Sequence, residues 1–372
     1  MTATVTAPLD LETVVTRLTE RGIAHRRVRV GPDAHIVVSA YGARVYGPFF
    51  GSEASESWMP DAFADASGFA ALHESGAWNV GGDRVWIGPE IEYMIPDRDR
   101  YWETYDLPAV LDPAEHVLSG DADEPTMHRH LRLRGHQRSR ANGTEVFGSL
   151  DLGIRIRATA DPLRHLPVPV AGADEVEYGG YRTELTLSQA TNVPLDAEAW
   201  TLLQVRAGGT ALIAGAAAQT VTDYYEPVGA LLGPRPGGSA VTITGADRFK
   251  IGFAAAHVSG RMAYLRELDD DRAVLVVRCS AVWPGFAYSE EPDFLPGHRG
   301  DALHIYNDDG GLGGFAELEA RGTPVAAVRC ADGTDRPVTD RVLTWWFRGP
   351  SATIHDIARH LGHVEPTGGA CA

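Results

Sequence analysis

The middle of the chain repeats one pattern: short runs in which apolar and polar residues alternate, each cut off by Gly, Pro, Asp or Asn. Clear examples are "HIVVSAYG", "GIRIRATA", "RTELTLSQATNV", "SAVTITGA", "RAVLVVRCSAVW", "ALHIYND", "FAELEA" and "VLTWWFRG". A period of two sends successive side chains to opposite faces, so each run reads as a strand with one face in a core. About a dozen strands or more are implied. Long helical patterns are sparse, and 41 Gly and 23 Pro are on hand for turns. The expected architecture is therefore mainly β, an antiparallel sandwich or barrel over residues 28–350.

The flanks behave differently. Asp10 is placed to cap a helix running to about Glu20, with Leu11, Val14, Val15 and Leu18 on one stripe and Gly22 as a stop, so residues 1–27 are read as a leading helix and lead-in. Ser351 begins a second amphipathic stretch, "SATIHDIARHLGHV", and residues 351–372 are read as a helix and tail. Residues 55–76 interrupt the strands as a loop with a short helix. "VAAVRCA" reads as one more strand, and "TLLQVRAGGTALIAG" as strand, Gly208-Gly209 turn, strand.

With 372 residues, 44% of them apolar, the chain can bury a large core. Its 33 basic and 50 acidic residues give a formal charge of -17, which repels polyanions, so no nucleic-acid partner is expected. No run approaches the roughly 20 apolar residues of a membrane span, and "MTATVTAPLDLETVV" lacks the basic and apolar regions of a signal peptide. Cys279, Cys330 and Cys371 are odd in number and lack C-x-x-C spacing, which fits neither a disulfide framework nor a thiolate zinc site. These features lead to the expectation of a soluble cytoplasmic protein whose partner is a small molecule. An abundance of Ala, Gly, Arg and Asp with few lysines hints at a GC-rich bacterial genome.

Four stretches offer chemistry. In "WNVGGDRVWIGPEIEYMIP" a Gly81-Gly82 turn delivers a strand carrying Trp86. Pro89 then breaks the ladder, leaving Glu90 and Glu92 on one face of an extended segment. In "MHRHLRLRGHQRSR", His128 and His130 share a strand face and form a possible metal pair, against the alternative of a half-exposed strand with Arg outward and Leu inward. In "YRTELTLSQ", Arg182, Glu184 and Thr186 share one face and Thr183, Leu185 and Leu187 the other. In "GDALHIYNDDGGLGGFAELEARG", His304, Tyr306 and Asp308 alternate on one face before glycines turn the chain into a strand with Glu317, Glu319 and Arg321 in a row. Two carboxylates roughly 6–7 Å apart can hold one acid protonated, which suits acid–base work. The competing reading is a water-exposed face, with Ala316, Leu318 and Ala320 packed inside. "GGLGG" lacks the spacing and the strand-to-helix placement of a nucleotide loop.

The order "GGDRVWIGPE", "AEAWTLLQVRAGGTALI", "GDALHIYNDDGG…FAELEARGTPV" and "VLTWWFRG" resembles bacterial families related to the galactose mutarotase (aldose 1-epimerase) superfamily. The resemblance spans roughly residues 30–350 and implies a large antiparallel β-supersandwich whose concave face binds sugars. Mutarotases carry a catalytic glutamate on a late strand, and Leu318-Glu319-Ala320-Arg321 before "VLTWWFRG" is similar to that place. The resemblance thus implies Glu319 as general base. The segment that bears the general-acid histidine in mutarotases corresponds to "DAEAWTLLQV", which has no histidine and offers Glu198.

The expected function is acid–base catalysis on a sugar or polar metabolite by epimerisation, isomerisation or elimination. Glu319 is then the base, Glu317 and Arg321 its tuning partners, and His128, His130 or His304 the acid. Trp86, Trp200 and Tyr306 would offer flat surfaces for a sugar ring, with Glu90, Arg182 and Arg321 as further binding groups. His257 is as much a core histidine as a site residue. No cofactor is expected. The alternatives are a non-catalytic carbohydrate-binding protein, or a metal-assisted lyase or hydrolase using a divalent ion on His128 and His130 with Glu90 or Glu184.

Overall fold

Alternation in the sequence becomes two faces of a sheet in space. The computed structural model describes residues 9–189, 196–215, 221–268, 271–328 and 336–364. Two large antiparallel sheets pack face to face, with strands numbered in chain order. Across the first lie β1 (His25–Arg29), β2 (Ala34–Ser39), β3 (Arg44–Phe50), β4 (Asp83–Gly88), β9 (Glu198–Arg206), β18 (Phe315–Arg321), β17 (Asp301–Asn307), β14 (Phe249–Ala254) and β11 (Val221–Asp223). Across the second lie β12 (Leu232–Arg235), β13 (Gly238–Thr242), β10 (Thr210–Gly215), β15 (Val258–Glu267), β16 (Arg272–Ser280), β19 (Val338–Pro350), β8 (Glu177–Gln189), β7 (Phe147–Ala158), β6 (Pro125–Arg134) and β5 (Val117–Gly120). The sandwich expected from the alternation is present. Its first strand starts at His25, so the boundary expected at residue 28 falls inside β1.

The core between the sheets takes every second residue. From the first sheet come Val85, Ile87, Leu203, Val205, Ile251, Leu303, Ile305, Ala316, Leu318 and Ala320, and from the second Leu185, Leu187, Met262, Val274, Val276 and Trp346. Within it Asp83 of β4 meets Arg278 of β16 at 3.0 Å and accepts from the Tyr181 hydroxyl of β8 at 2.9 Å. A buried pair with a hydrogen bond on its free oxygen fixes how one sheet sits on the other, since either partner left alone would be an uncompensated charge.

Both outer faces are covered in part. The helix Ser351–Gly362 lays Ile354, Ile357, Ala358 and Leu361 on β10, β15, β16 and β19. On the first sheet the helix Leu11–Glu20, started by Asp10 accepting from the Thr13 amide at 2.8 Å, covers β2 and β3 with Val14 and Leu18, joined by Phe63 and Phe69 from the 55–76 interruption. Both helices were readable from their stripes. Among the described residues, the central strands β4, β9, β18, β17 and β14 have no such helix on their outer face. Loops close over it instead.

Three local expectations change. After Gly88 the chain does not stay extended: Pro89 stands before a one-turn helix, Glu90–Tyr93, which separates Glu90 from Glu92. A proline with its fixed φ starts a helix as readily as it ends a strand. The Gly208-Gly209 turn joins two strands as expected, yet they belong to different sheets, so it crosses the sandwich. Val325–Val328 is a 3-10 helix where a strand was expected; the rest of that stretch, including Cys330, lies outside the described residues, as does Cys371. Cys279 is a free thiol. Among the described residues no helix is long and apolar enough to cross a membrane.

The glycine-rich turn before β18 is built around one carboxylate. Asp308, 1% exposed, accepts with Oδ2 from the amides of Gly310 (3.0 Å), Leu312 (3.0 Å) and Gly314 (2.8 Å). Gly313 has φ 126°, and a Cβ there would run into the Trp58 indole, so no other residue fits. Asp308→Ala removes the shared acceptor of three amides. It is expected to cost about 2 kcal/mol, read as a lowered midpoint in chemical denaturation, with Asp308→Asn recovering part of the loss.

Candidate active site

The outer face of the central strands, beneath the loops that close over it, holds a cavity of about 350 Å³. That is near the lower end of roughly 300–1,000 Å³ typical of small-molecule sites. Strand register brings its residues together. Glu317 stands opposite Gln204 and Tyr306, Glu319 opposite Leu202 and His304, and Lys250 opposite Tyr306. Residues paired across antiparallel strands point to the same side, so β14, β17, β18, β9 and β4 present Lys250, Tyr306, Glu317, Glu319, Trp200, Arg84 and Trp86 to one hollow. Trp78, Glu90, Trp102, Tyr105, Tyr225, Arg248 and Leu312 close the rim from the loops.

Aromatic rings form the walls. Trp86 meets Trp78 and Trp200 edge on, with centroids 5.6 and 5.4 Å apart. The Trp86 indole N–H donates to Asp112 at 2.8 Å, and Arg84 lies 4.4 Å over its ring. These contacts hold the indoles in fixed orientations.

The charges are paired. Arg84 meets Glu317 at 2.8 Å, and the Gln204 amide donates to the same oxygen at 3.0 Å. Lys250 lies 2.9 Å from Glu90 and 3.7 Å from Glu319, with its ammonium 4.4 Å above the Trp200 ring. The Trp200 indole donates to Glu319 at 2.9 Å. Burial raises the Glu319 carboxyl to about 7; Lys250 and Arg321 pull it down, while Glu317 and Glu90 push it up. Burial alone would lower Lys250, but Glu319, Glu90 and Glu290 outweigh it and keep the amine an ammonium. A carboxyl poised near 7 takes and gives protons at neutral pH.

The strand reading of "FAELEA" is therefore half right. Ala316, Leu318 and Ala320 pack inside as expected, but Glu317 and Glu319 are 5% and 1% exposed, lining the cavity instead of standing out in water. Trp86, Glu90, Trp200 and Tyr306 join them in its wall. Arg321 does not. It is sealed behind Trp200, 3.7 Å from the ring, and reaches Glu290 at 2.5 Å and Glu198 at 3.6 Å. Gly88 makes room for it, since a Cβ there would overlap the guanidinium. Burial also raises Glu198, to about 7, with Arg321 opposing.

The expected histidines separate. His304 is a neighbour of Glu319 across the strand pair but fully buried and outside the cavity wall; burial, with Arg321 and Lys250 nearby, keeps it well below its usual range and so neutral. His128 and His130 do share a face of β6, exposed on the other sheet, where His130 is 2.9 Å from Asp151. His257 sits half-buried in a turn. Arg182 is on β8, 3.9 Å from Glu184, and also lies on the other sheet. Glu92 turns away from Glu90 and accepts from the Arg138 amide at 3.3 Å. Among the described residues no group of three or more His, Cys, Asp or Glu is arranged to hold a metal ion.

Sequence reasoning missed Arg84, Trp78, Trp102, Tyr105, Tyr225, Arg248 and Lys250. Most come from loops or lone strand positions that show no pattern. Lys250 did carry a signal: it is the sole lysine of the chain.

Fold and cavity define an antiparallel β-sandwich protein with a cavity of small-molecule size on the outer face of one sheet. Among solved structures it is similar to a candidate aldose 1-epimerase from Escherichia coli K12, with TM-score 0.45 and 13% identity, covering 87% of this chain and 99% of that one. A candidate aldose 1-epimerase from Klebsiella pneumoniae is also similar, with TM-score 0.44 and 10% identity, covering 90% and 82%. Likeness at this level carries no correspondence between residues. No family model matches the chain, and no curated protein matches it.

The raised carboxyl has a thermodynamic consequence. Its folded value lies above the ordinary 4.5, so its contribution to stability is full below about pH 4.5 and lost as pH rises through about 7. Gln at this position does not ionise. The stability of Glu319→Gln relative to wild type is expected to rise by an amount on the order of 3 kcal/mol between pH 4.5 and 7, then level off. Denaturation midpoints of both proteins across this window measure it, and a constant difference would place the titration elsewhere.

Proposed function

We propose that the protein is an acid–base enzyme acting on a sugar-like small molecule, with Glu319 as the base and epimerisation at an anomeric carbon as the reaction. The observation that carries this reading is the Glu319 carboxyl, buried in an aromatic-walled cavity and raised to about 7. Sugars present apolar C–H faces and a girdle of hydroxyls. Such a ligand matches rigid indoles beside a few charged groups. A base near neutral pH is half ionised under working conditions and can take a hydroxyl proton and return it. The resemblance of Leu318-Glu319 and the strands around it to mutarotases points the same way.

The cavity volume fits a small sugar better than a polymer. Within it Trp200 holds the Glu319 carboxylate by its indole N–H, so the second oxygen is available to a ligand. Glu317 is tied to Arg84 and Gln204, which suits orientation of hydroxyls more than proton transfer.

The test is anomer interconversion followed by polarimetry, with freshly dissolved α-anomers of D-glucose, D-galactose and D-xylose. Wild type is expected to accelerate mutarotation of at least one, with a rate that rises with pH through about 7 as Glu319 ionises. Glu319→Gln should lose on the order of 10²–10⁴-fold in kcat. Binding of these sugars without acceleration would instead make the chain a carbohydrate-binding protein.

A further inference from the structure

Of the chain's 33 basic residues, 32 are arginine. The remaining one, Lys250, is not on the surface, where lysine is ordinarily found. It is 2% exposed and lines the cavity beside Glu319. Buried cations elsewhere in this protein are arginines: Arg44 on Asp112, Arg84 on Glu317, Arg278 on Asp83 and Arg321 on Glu290. Where the fold needs a buried counter-charge, arginine supplies it. At residue 250 something else is required.

The two cations differ in two ways. Guanidinium is a wide planar fork that stays protonated in proteins, whereas an amine is compact and can release its proton. Lys250 has the surroundings of a group that is charged at rest, and protonation of Glu319 removes one of the carboxylates that hold its proton. Glu90 at 2.9 Å and Glu319 at 3.7 Å hold the ammonium, and the Trp200 ring backs it at 4.4 Å. The only histidine near Glu319 in the strand pairing, His304, is buried and neutral behind the wall. The cavity thus contains a base and one dissociable cation.

We propose that Lys250 is the proton donor of this cavity. The proposal rests on the reading of the site as a sugar epimerase. In ring opening, Glu319 accepts the proton of the anomeric hydroxyl, the C1–O5 bond breaks, and Lys250 gives its ammonium proton to O5. The aldehyde, neutral Lys250 and protonated Glu319 result. After rotation about C1–C2, O5 attacks C1 from the other face, its proton returns to Lys250, and the carbonyl oxygen takes back the proton on Glu319. Protons and electrons balance over the cycle with no other reactant.

Lys250→Arg separates a donor from a counter-charge. The variant keeps the positive charge between Glu90 and Glu319. In the polarimetric assay with the sugar that wild type turns over, it is expected to keep KM within a few-fold and lose on the order of 100-fold or more in kcat. Retention of kcat within threefold of wild type would overturn the donor role while leaving the Glu319 reading intact. A wild type inactive on every sugar of the panel overturns the epimerase reading and the donor together. Because the chain has one lysine, labelling lysine with 13C at Cε gives a single side-chain resonance. In wild type it is expected to shift on addition of the turned-over sugar, and no shift at saturation would remove the contact. If the arginine variant does not fold, the absence of that shift still overturns the donor role.

Discussion

The structure depends on burying charge on the outer face of one sheet without leaving any of it alone. A carboxylate moved out of water loses several kcal/mol of solvation, recovered only with a close opposite charge and hydrogen bonds on the remaining lone pairs. Glu319 receives Lys250 and the Trp200 N–H, and Glu317 receives Arg84 and Gln204. Glu290, behind the wall, receives Arg321 and the Glu90 amide at 3.1 Å. The partners come from β4 and the helical turn after it, and from β9, β14 and β18, which are remote from one another in sequence. The site therefore exists only when the central strands are in register.

Register is imposed from the opposite face. The residues that alternate with Glu317, Glu319 and Arg321 are Ala316, Leu318 and Ala320, fixed in the core between the sheets. A slip by one residue would drive carboxylates into that core and alanines into the cavity. The Asp83–Arg278 pair with Tyr181 ties β4 to the second sheet beneath Arg84 and Trp86. Packing thus does for the site what a rigid scaffold should: it places polar groups without the polar groups having to place themselves.

Period and punctuation made the fold legible. Alternation predicted β8 with Arg182 and Glu184 on one face and Leu185 and Leu187 on the other, and the apolar stripes predicted both terminal helices. What alternation cannot encode is the medium each face meets. The polar rows of β8 and β18 look alike in sequence, yet one faces solvent and the other a hollow rimmed by loops, because only the second lies under loops from residues 78–105, 224–226 and 308–314. Arg321 illustrates the same limit. It shares a row with Glu319, but the shape of the indole between them and the gap at Gly88 send it to the back of the wall. Lys250 was legible by rarity rather than by pattern.

Charge balance in the cavity narrows what it can hold. Its lining carries Arg84, Arg248 and Lys250 against Glu90, Glu317 and Glu319, three of each sign, inside a chain of formal charge -17. With Glu319 ionised the wall is neutral overall, and with Glu319 protonated it gains one positive charge. Long-range attraction therefore favours neither anions nor cations strongly, and screening beyond roughly 8–10 Å weakens the exterior charge further. Selection falls to short contacts: indole faces, hydroxyl partners on Glu317 and Glu90, and Arg248, which lies 4.6 Å over Trp102 and 4.8 Å over Tyr225. The neutral, sugar-like ligand of the proposed function would satisfy all of these without adding a charge that the wall would have to offset.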